Sequence, residues 1–159
     1  MGTIDITYIR LRDGWLFLMV VEDWFSRYIV SWTLSDTLEL PFVLEAARQA
    51  LTQATPAIWN TDQGSQFTSA EFVGLLQQHG IRVSMDGKGR WVDNVFVERL
   101  WKSVKYEEVY LHAYESIAHA RQRLGRYLEF YNQRRPHTAL DGKTPDMVYF
   151  NSLPQKRAA

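Results

Sequence analysis

Cysteine is absent from this chain of 159 residues. That excludes a disulfide framework, a thiol nucleophile and a cysteine zinc site. Long apolar runs are absent as well. The longest, Trp15 to Val21, has seven residues, far short of the ~20 a membrane-spanning helix needs. The first ten residues alternate and carry Asp5 and Arg10, unlike a secretory leader. A cytoplasmic protein is the simple expectation. Lysine is missing from the first half. Residues 1–80 hold four Lys and Arg against nine Asp and Glu, and residues 81–159 hold fourteen against nine. An acidic half beside a basic half suits a metal site next to a polyanion track; a solvated surface with clustered charge has the same signature. Internal repeats and linkers are also absent. With 46% hydrophobic and 23% charged residues, the chain has the composition of one globular domain.

What is present reads as an α/β chain. Ile4 to Ile9 alternate apolar and polar, as a half-buried strand does. Asp13-Gly14 signals a hairpin turn. Trp15 to Asp23 is nearly continuously apolar, the pattern of a strand buried on both faces. A turn at Trp24 to Arg27 leads to a third strand, Tyr28 to Leu34, and the three form an antiparallel meander. Pro41 suits the first turn of a helix reaching about Ala54. A short strand over 57–61 ends at Asp62, and Gln63 to Thr68 reads as a loop. Ser69 caps a helix that Gly80 stops, and a strand follows at Ile81 to Met85. Asp93 is a suitable cap for a helix to about Tyr110, and Ser116 for another that stops before Pro136. Arg134 and Arg135 suit the negative end of that helix, or contact phosphate. Thr144-Pro145 starts a last short helix. The expectation is a central mixed five-stranded sheet, the meander plus two further strands, flanked by helices. One domain over 1–150 and a tail over 151–159 complete the plan.

Three carboxylates stand out. Asp5 sits among strand formers, where aspartate is disfavoured. Asp62 ends a short strand, and Glu98 lies one turn inside the helix capped by Asp93. Metal-assisted phosphoryl transfer wants such a set, because Mg²⁺ prefers a few carboxylate oxygens plus water and phosphate. Each has an ordinary structural explanation too. Asp5 then is an edge-strand charge, Asp62 a turn former, and Glu98 an exposed residue paired with Lys102. Composition and spacing alone do not make the three converge. No close-spaced histidine pair and no Gly-x-Ser-x-Gly occurs, so histidine metal sites and serine hydrolases fit poorly.

Asp5-Ile-Thr-Tyr-Ile, Asp23-Trp-Phe-Ser-Arg and Thr61-Asp-Gln-Gly-Ser-Gln-Phe-Thr-Ser occur in this order. Gly80-Ile-Arg-Val-Ser-Met, Asp93-Asn-Val-Phe-Val-Glu-Arg-Leu-Trp-Lys, Tyr131-Asn-Gln-Arg-Arg-Pro-His and Thr144-Pro follow. Together they resemble the catalytic core of retroviral integrases and of bacterial insertion-sequence transposases, over roughly residues 3–150. The likeness is strongest to the two-reading-frame group that moves through a circular copied intermediate. The resemblance implies an RNase H-like fold with Asp5, Asp62 and Glu98 as catalytic metal ligands for Mg²⁺ or Mn²⁺, two ions per site. It implies hydrolysis at DNA 3′ ends and strand transfer into another DNA. It implies DNA partners, both element ends and target, a homodimer or higher oligomer on DNA, no membrane, and a bacterial, nucleoid-associated location. Relatives carry upstream helical segments that recognise element ends, so the chain is expected to be a core without that domain. A noncatalytic DNA-binding remnant and a hydrolysis-only nuclease are the alternatives.

Helix geometry extends the site. Residues four and seven apart share a face, so Asn94, Glu98, Lys102 and Lys105 form one stripe. The resemblance assigns such residues to holding DNA ends; a solvated stripe is the bland alternative. Lys88, Arg90 and Trp91 precede this helix in a loop that orders on DNA in the family. Trp91 there stacks on an unpaired base, or packs in the core. Asp23 is expected to be structural, fixing its turn with Ser26 and Arg27.

Overall fold

The computed structural model describes residues 2–53, 55–56, 58–61, 65–85 and 95–152. Strands β1 (Gly2–Leu11), β2 (Gly14–Asp23) and β3 (Ile29–Ser35) form the expected antiparallel meander. Helix α1 (Leu40–Leu51) leads to β4 (Ile58–Thr61), which lies parallel beside β1, with Gly2 opposite Trp59 and Thr3 opposite Asn60. Helices α2 (Ser65–Thr68) and α3 (Ala70–Gln78) lead to β5 (Arg82–Met85), parallel to β4. The sheet order is β3-β2-β1-β4-β5. Helices α4 (Val95–Glu107), α5 (Ile117–Gln133) and α6 (Pro145–Ser152) follow, with single 3₁₀ turns at Val109–Leu111 and Thr138–Leu140.

The apolar run of β2 is explained by two cores, one on each face of the sheet. Leu16, Leu18 and Val20 pack with Leu100 and Val104 of α4 and Leu124 and Leu128 of α5. Met19 and Val21 pack with Val43, Ala46 and Ala47 of α1 and Phe72 and Leu76 of α3. Successive residues of a strand point to opposite faces, so both faces of β2 must be apolar. On β1 the same alternation sends Ile4 into the α1 core and Ile9 into the α4 core. Asp5 has the parity of Ile9 and therefore faces α4.

The helix boundaries follow local chemistry. The Ser69 and Ser116 hydroxyls accept from the Phe72 and His119 amides, as N-caps do. Gly80 stands at φ 70, the left-handed conformation that ends a helix, and the Ile81 amide donates back to the Leu76 carbonyl at 3.0 Å. Gly125, a weak residue for a helix interior, sits where a Cβ would meet the Trp32 ring at 3.3 Å. A larger residue there would require the Trp32 ring of β3 to shift by a few tenths of an ångström.

Two sequence expectations need correction. Residues Ser65 to Thr68 are a helical turn rather than loop, and this turn buries Phe67. Helix α4 ends at Glu107 rather than near Tyr110, because the buried Glu108 carboxylate turns inward to accept from the Tyr114 hydroxyl at 2.6 Å and to pair with Arg123 at 3.4 Å. Helix α6 runs from Pro145 to Ser152. The Asp93 cap lies outside the described residues.

Candidate active site

Asp5 is half-buried in the middle of β1, opposite Val20 of β2. Its Oδ2 accepts a hydrogen bond from the Trp101 indole at 2.9 Å. Trp101 belongs to α4, three residues after Glu98. Residues three apart are neighbours on a helix surface, so this bond binds the turn of α4 that carries Glu98 to the strand that carries Asp5. Glu98 itself is exposed in the first turn of α4, where a carboxylate also suits the helix dipole. Asp62 lies outside the described residues; Thr61, the residue before it, ends β4. Among the described residues no three His, Asp or Glu cluster as a metal site. Asp5 and Glu98 nonetheless offer the hard oxygen donors that Mg²⁺ or Mn²⁺ takes. A hydrogen bond to one carboxylate oxygen is the kind of support that orients a metal-ligating carboxylate.

The turn after β2 ties the same two elements together. Asp23 Oδ2 accepts from the Ser26 amide at 3.0 Å and the Ser26 hydroxyl at 2.6 Å. The Arg27 amide donates to the Asp23 carbonyl at 2.8 Å, with Arg27 at φ 65. Asp23 thus fixes the turn with Ser26 and Arg27, the structural role expected of it. The turn presents Trp24 and Arg27 to the first turn of α4. The Trp24 indole donates to the Thr3 hydroxyl on β1 and packs edge-on against Phe96, with ring centroids 5.7 Å apart. The Arg27 guanidinium donates to the Trp24 carbonyl and lies 3.7 Å from the Phe96 ring centroid. Thr3 is two residues before Asp5, and Phe96 is two before Glu98. One turn therefore braces both carboxylate-bearing segments. Trp24→Phe keeps the ring contact and deletes the donor to buried Thr3. A loss of about 1 kcal/mol is expected, lowering the melting temperature by about 2–4 °C. An unaltered melting curve would remove this bond from the brace.

A fourth carboxylate sits nearby and was not anticipated. Glu22 of β2 is fully buried opposite Thr3, and among the described residues neither of its oxygens has a hydrogen-bond partner. Burial pushes its pKa well above the ordinary carboxylate range, with the Arg27 charge opposing in part. The sequence signal was available: a charged residue interrupts an otherwise apolar strand. Trp101 and Trp24 were also missed. Their partners lie 96 and 21 residues away, beyond the reach of any local pattern.

The proposed DNA contacts divide into three groups. Lys102 is exposed on α4. Lys105 is half-buried instead, its ammonium donating to the Tyr8 carbonyl of β1, and burial lowers its pKa. Asn94, Lys88, Arg90 and Trp91 lie outside the described residues. At the end of α5 the Arg134 and Arg135 amides both donate to the Phe130 carbonyl at 2.9 Å, and the Arg135 guanidinium turns to α4. It forms a paired contact with Glu107 at 2.6 and 2.9 Å, supported by the Tyr127 hydroxyl at 2.8 Å. The Arg135 bond holds the Glu107 carboxyl below its usual range, and the contact staples the end of α4 to α5. His137 packs edge-on against Tyr131 with centroids 4.9 Å apart, and burial lowers its pKa to about 4.

The sheet order and flanking helices make this an RNase H-like fold. The HTLV-2 integrase catalytic core domain, solved in complex with magnesium, superimposes with a TM-score of 0.65 at 21% identity, covering 93% of this chain and 94% of that one. Residues 2–90 match the integrase core domain family, and residues 79–145 match a second family of the same description. The chain belongs to the integrase core domain family. It is 39% identical over 153 residues to the transposase for insertion sequence element IS904 of Lactococcus lactis, a match covering 93% of this chain and 60% of that protein. It is 34% identical over 153 residues to the transposase InsF for insertion sequence IS3A of Escherichia coli, covering 94% and 53%. The chain thus spans little more than half the length of these relatives.

Proposed function

We propose that this chain is the catalytic core of a DNA transposase, acting on DNA ends and target DNA by metal-dependent phosphoryl transfer. The observation that carries the proposal is the Trp101–Asp5 bond, which brings the Glu98 turn of α4 against β1. The parallel β1–β4 pairing supports adding Asp62, since β4 runs beside the Asp5 strand up to Thr61. Asp5, Asp62 and Glu98 then hold Mg²⁺ or Mn²⁺. The magnesium of the HTLV-2 core supports this choice of ion. Two bound ions would supply activation of the attacking oxygen and stabilisation of the leaving one. The protein's own part is to converge the carboxylates, hold them through Trp101 and the Trp24–Arg27 turn, and bind the DNA backbone.

Lys102 is the described cation best placed for that backbone, one helical turn beyond Glu98. Lys102→Ala is expected to weaken DNA binding across sequences and to reduce the slope of log affinity against log salt by about 1. Titration at several salt concentrations measures this, and an unchanged slope removes Lys102 from the DNA track. Action on paired ends implies a dimer or higher oligomer on DNA and association with the bacterial nucleoid. Among the described residues no helix is long and apolar enough to cross a membrane.

The test is a branched DNA that mimics a joined product, incubated with Mn²⁺ or Mg²⁺. This substrate asks for the core chemistry with little demand on end recognition. Metal-dependent resealing that vanishes in Glu98→Gln is the expected result. Hydrolysis without resealing would identify a hydrolytic nuclease. A folded, DNA-binding protein inert with both ions would identify a noncatalytic remnant.

A further inference from the structure

Beyond the active site, β1 has an edge that β4 covers only at Gly2 and Thr3. The uncovered part faces the end of α4 and the 3₁₀ turn after it, and together they enclose a groove of about 650 Å³. Arg10, Arg12 and Lys105 line it, with the rings of Tyr8, Trp15 and Tyr110, and among the described residues no Asp or Glu lines it. The three rings are 57–65% exposed although Tyr8 packs on Trp15 and Tyr110 on Tyr106, an unfavourable display for large aromatic side chains. Arg10 lies 5.9 Å from the Trp15 ring centroid, and neither Arg10 nor Arg12 has an ion-pair partner among the described residues.

We propose that this groove binds a single strand of DNA, its phosphates on Arg10 and Arg12 and its unpaired bases on Tyr8, Trp15 and Tyr110. The proposal rests on the catalytic reading above and extends the DNA path from that site. Cations interleaved with exposed rings are what a sequence-tolerant single-strand site requires, since every base has a face to stack. A duplex hides those faces and would leave the rings unused. The groove also continues the Glu98 stripe. Lys105 is seven residues beyond Glu98, about 10 Å along the helix.

Two other occupants fit less well. An extended peptide would pair with the strand edge. That edge is already engaged, by Lys105 at the Tyr8 carbonyl and by Tyr114, which bridges Leu11 and accepts from the Arg12 amide at 3.0 Å. A second copy meeting the groove about a two-fold axis would set the same cations against one another.

The test is fluorescence anisotropy with a labelled oligothymidylate of about ten nucleotides, in EDTA so that no metal chemistry intrudes. Trp15→Ala and Tyr110→Ala are each expected to weaken binding by about 5- to 150-fold. Arg10→Ala should lower the salt slope by about 0.7. Met147→Ala, which trims an equally exposed apolar side chain on α6, should bind as the parent does. Circular dichroism confirms that each variant is folded. Parent-like binding by both aromatic variants overturns the proposal, as does a change confined to oligomeric state. Neither result touches the catalytic reading, whose own readout is resealing of branched DNA and its loss in Glu98→Gln.

Discussion

Asp5→Asn is expected to abolish DNA cleavage and joining, by about 10³-fold or more, in a protein that still folds and binds DNA. The substitution is nearly isosteric. The asparagine oxygen can still accept from the Trp101 indole, so the tie between β1 and α4 survives. Only the negative charge goes. A carboxylate that ligates a divalent ion contributes several kcal/mol to charge stabilisation in phosphoryl transfer, and each 1.36 kcal/mol is tenfold in rate. The effect should therefore appear in the chemical step and leave DNA affinity in EDTA unaltered. Resealing of branched DNA under single turnover measures the first, and anisotropy the second. A mutant that reseals at the parent rate would remove Asp5 from the site.

That prediction depends on residues of very different legibility. Asp5 could be read as a strand residue because its neighbours alternate. The face it takes is decided by the fold, which puts Ile4 and Ile9 in opposite cores. The meander was legible for a related reason. A strand covered on both faces must be apolar throughout, and β2 is. Caps and stops such as Ser69, Ser116 and Gly80 act within a few residues of themselves, so they too could be read locally. The four-residue turn at Ser65 could not, being shorter than one useful period of helical patterning. The end of α4 was set by Glu108 meeting Tyr114 and Arg123, contacts no local pattern encodes. The same holds for the support of the site. Trp101, Trp24 and Phe96 are ordinary aromatics in the sequence, and they acquire roles only when the fold brings β1, the turn after β2 and α4 together.

Replacing Glu22 with methionine should stabilise the protein at neutral pH by about 1–3 kcal/mol, the cost typical of burying a polar group without a hydrogen bond. The sign of the pH dependence follows from its raised pKa. In the unfolded chain the carboxyl ionises at about 4.3. In the folded chain burial keeps it protonated to a higher pH. Between those two values the folded state binds more protons than the unfolded, so stability falls as pH rises. Below the window the ionisation penalty is absent; above it, the penalty is complete and constant. A methionine side chain does not titrate, so the gain on substitution should be larger at pH 7 than at pH 4. Other carboxylates, Glu107 among them, titrate in both proteins and cancel in the difference. Urea unfolding of parent and Glu22→Met at the two pH values measures it. The opposite electrostatic state predicts the opposite sign. If Glu22 were ionised and paired with Arg27, methionine would leave a half-buried guanidinium without its counter-charge, and breaking a buried pair costs about 3–5 kcal/mol. A less stable variant at pH 7 would therefore establish a Glu22–Arg27 ion pair beside the candidate site, and a more stable one a neutral acid carried there at a cost to the fold.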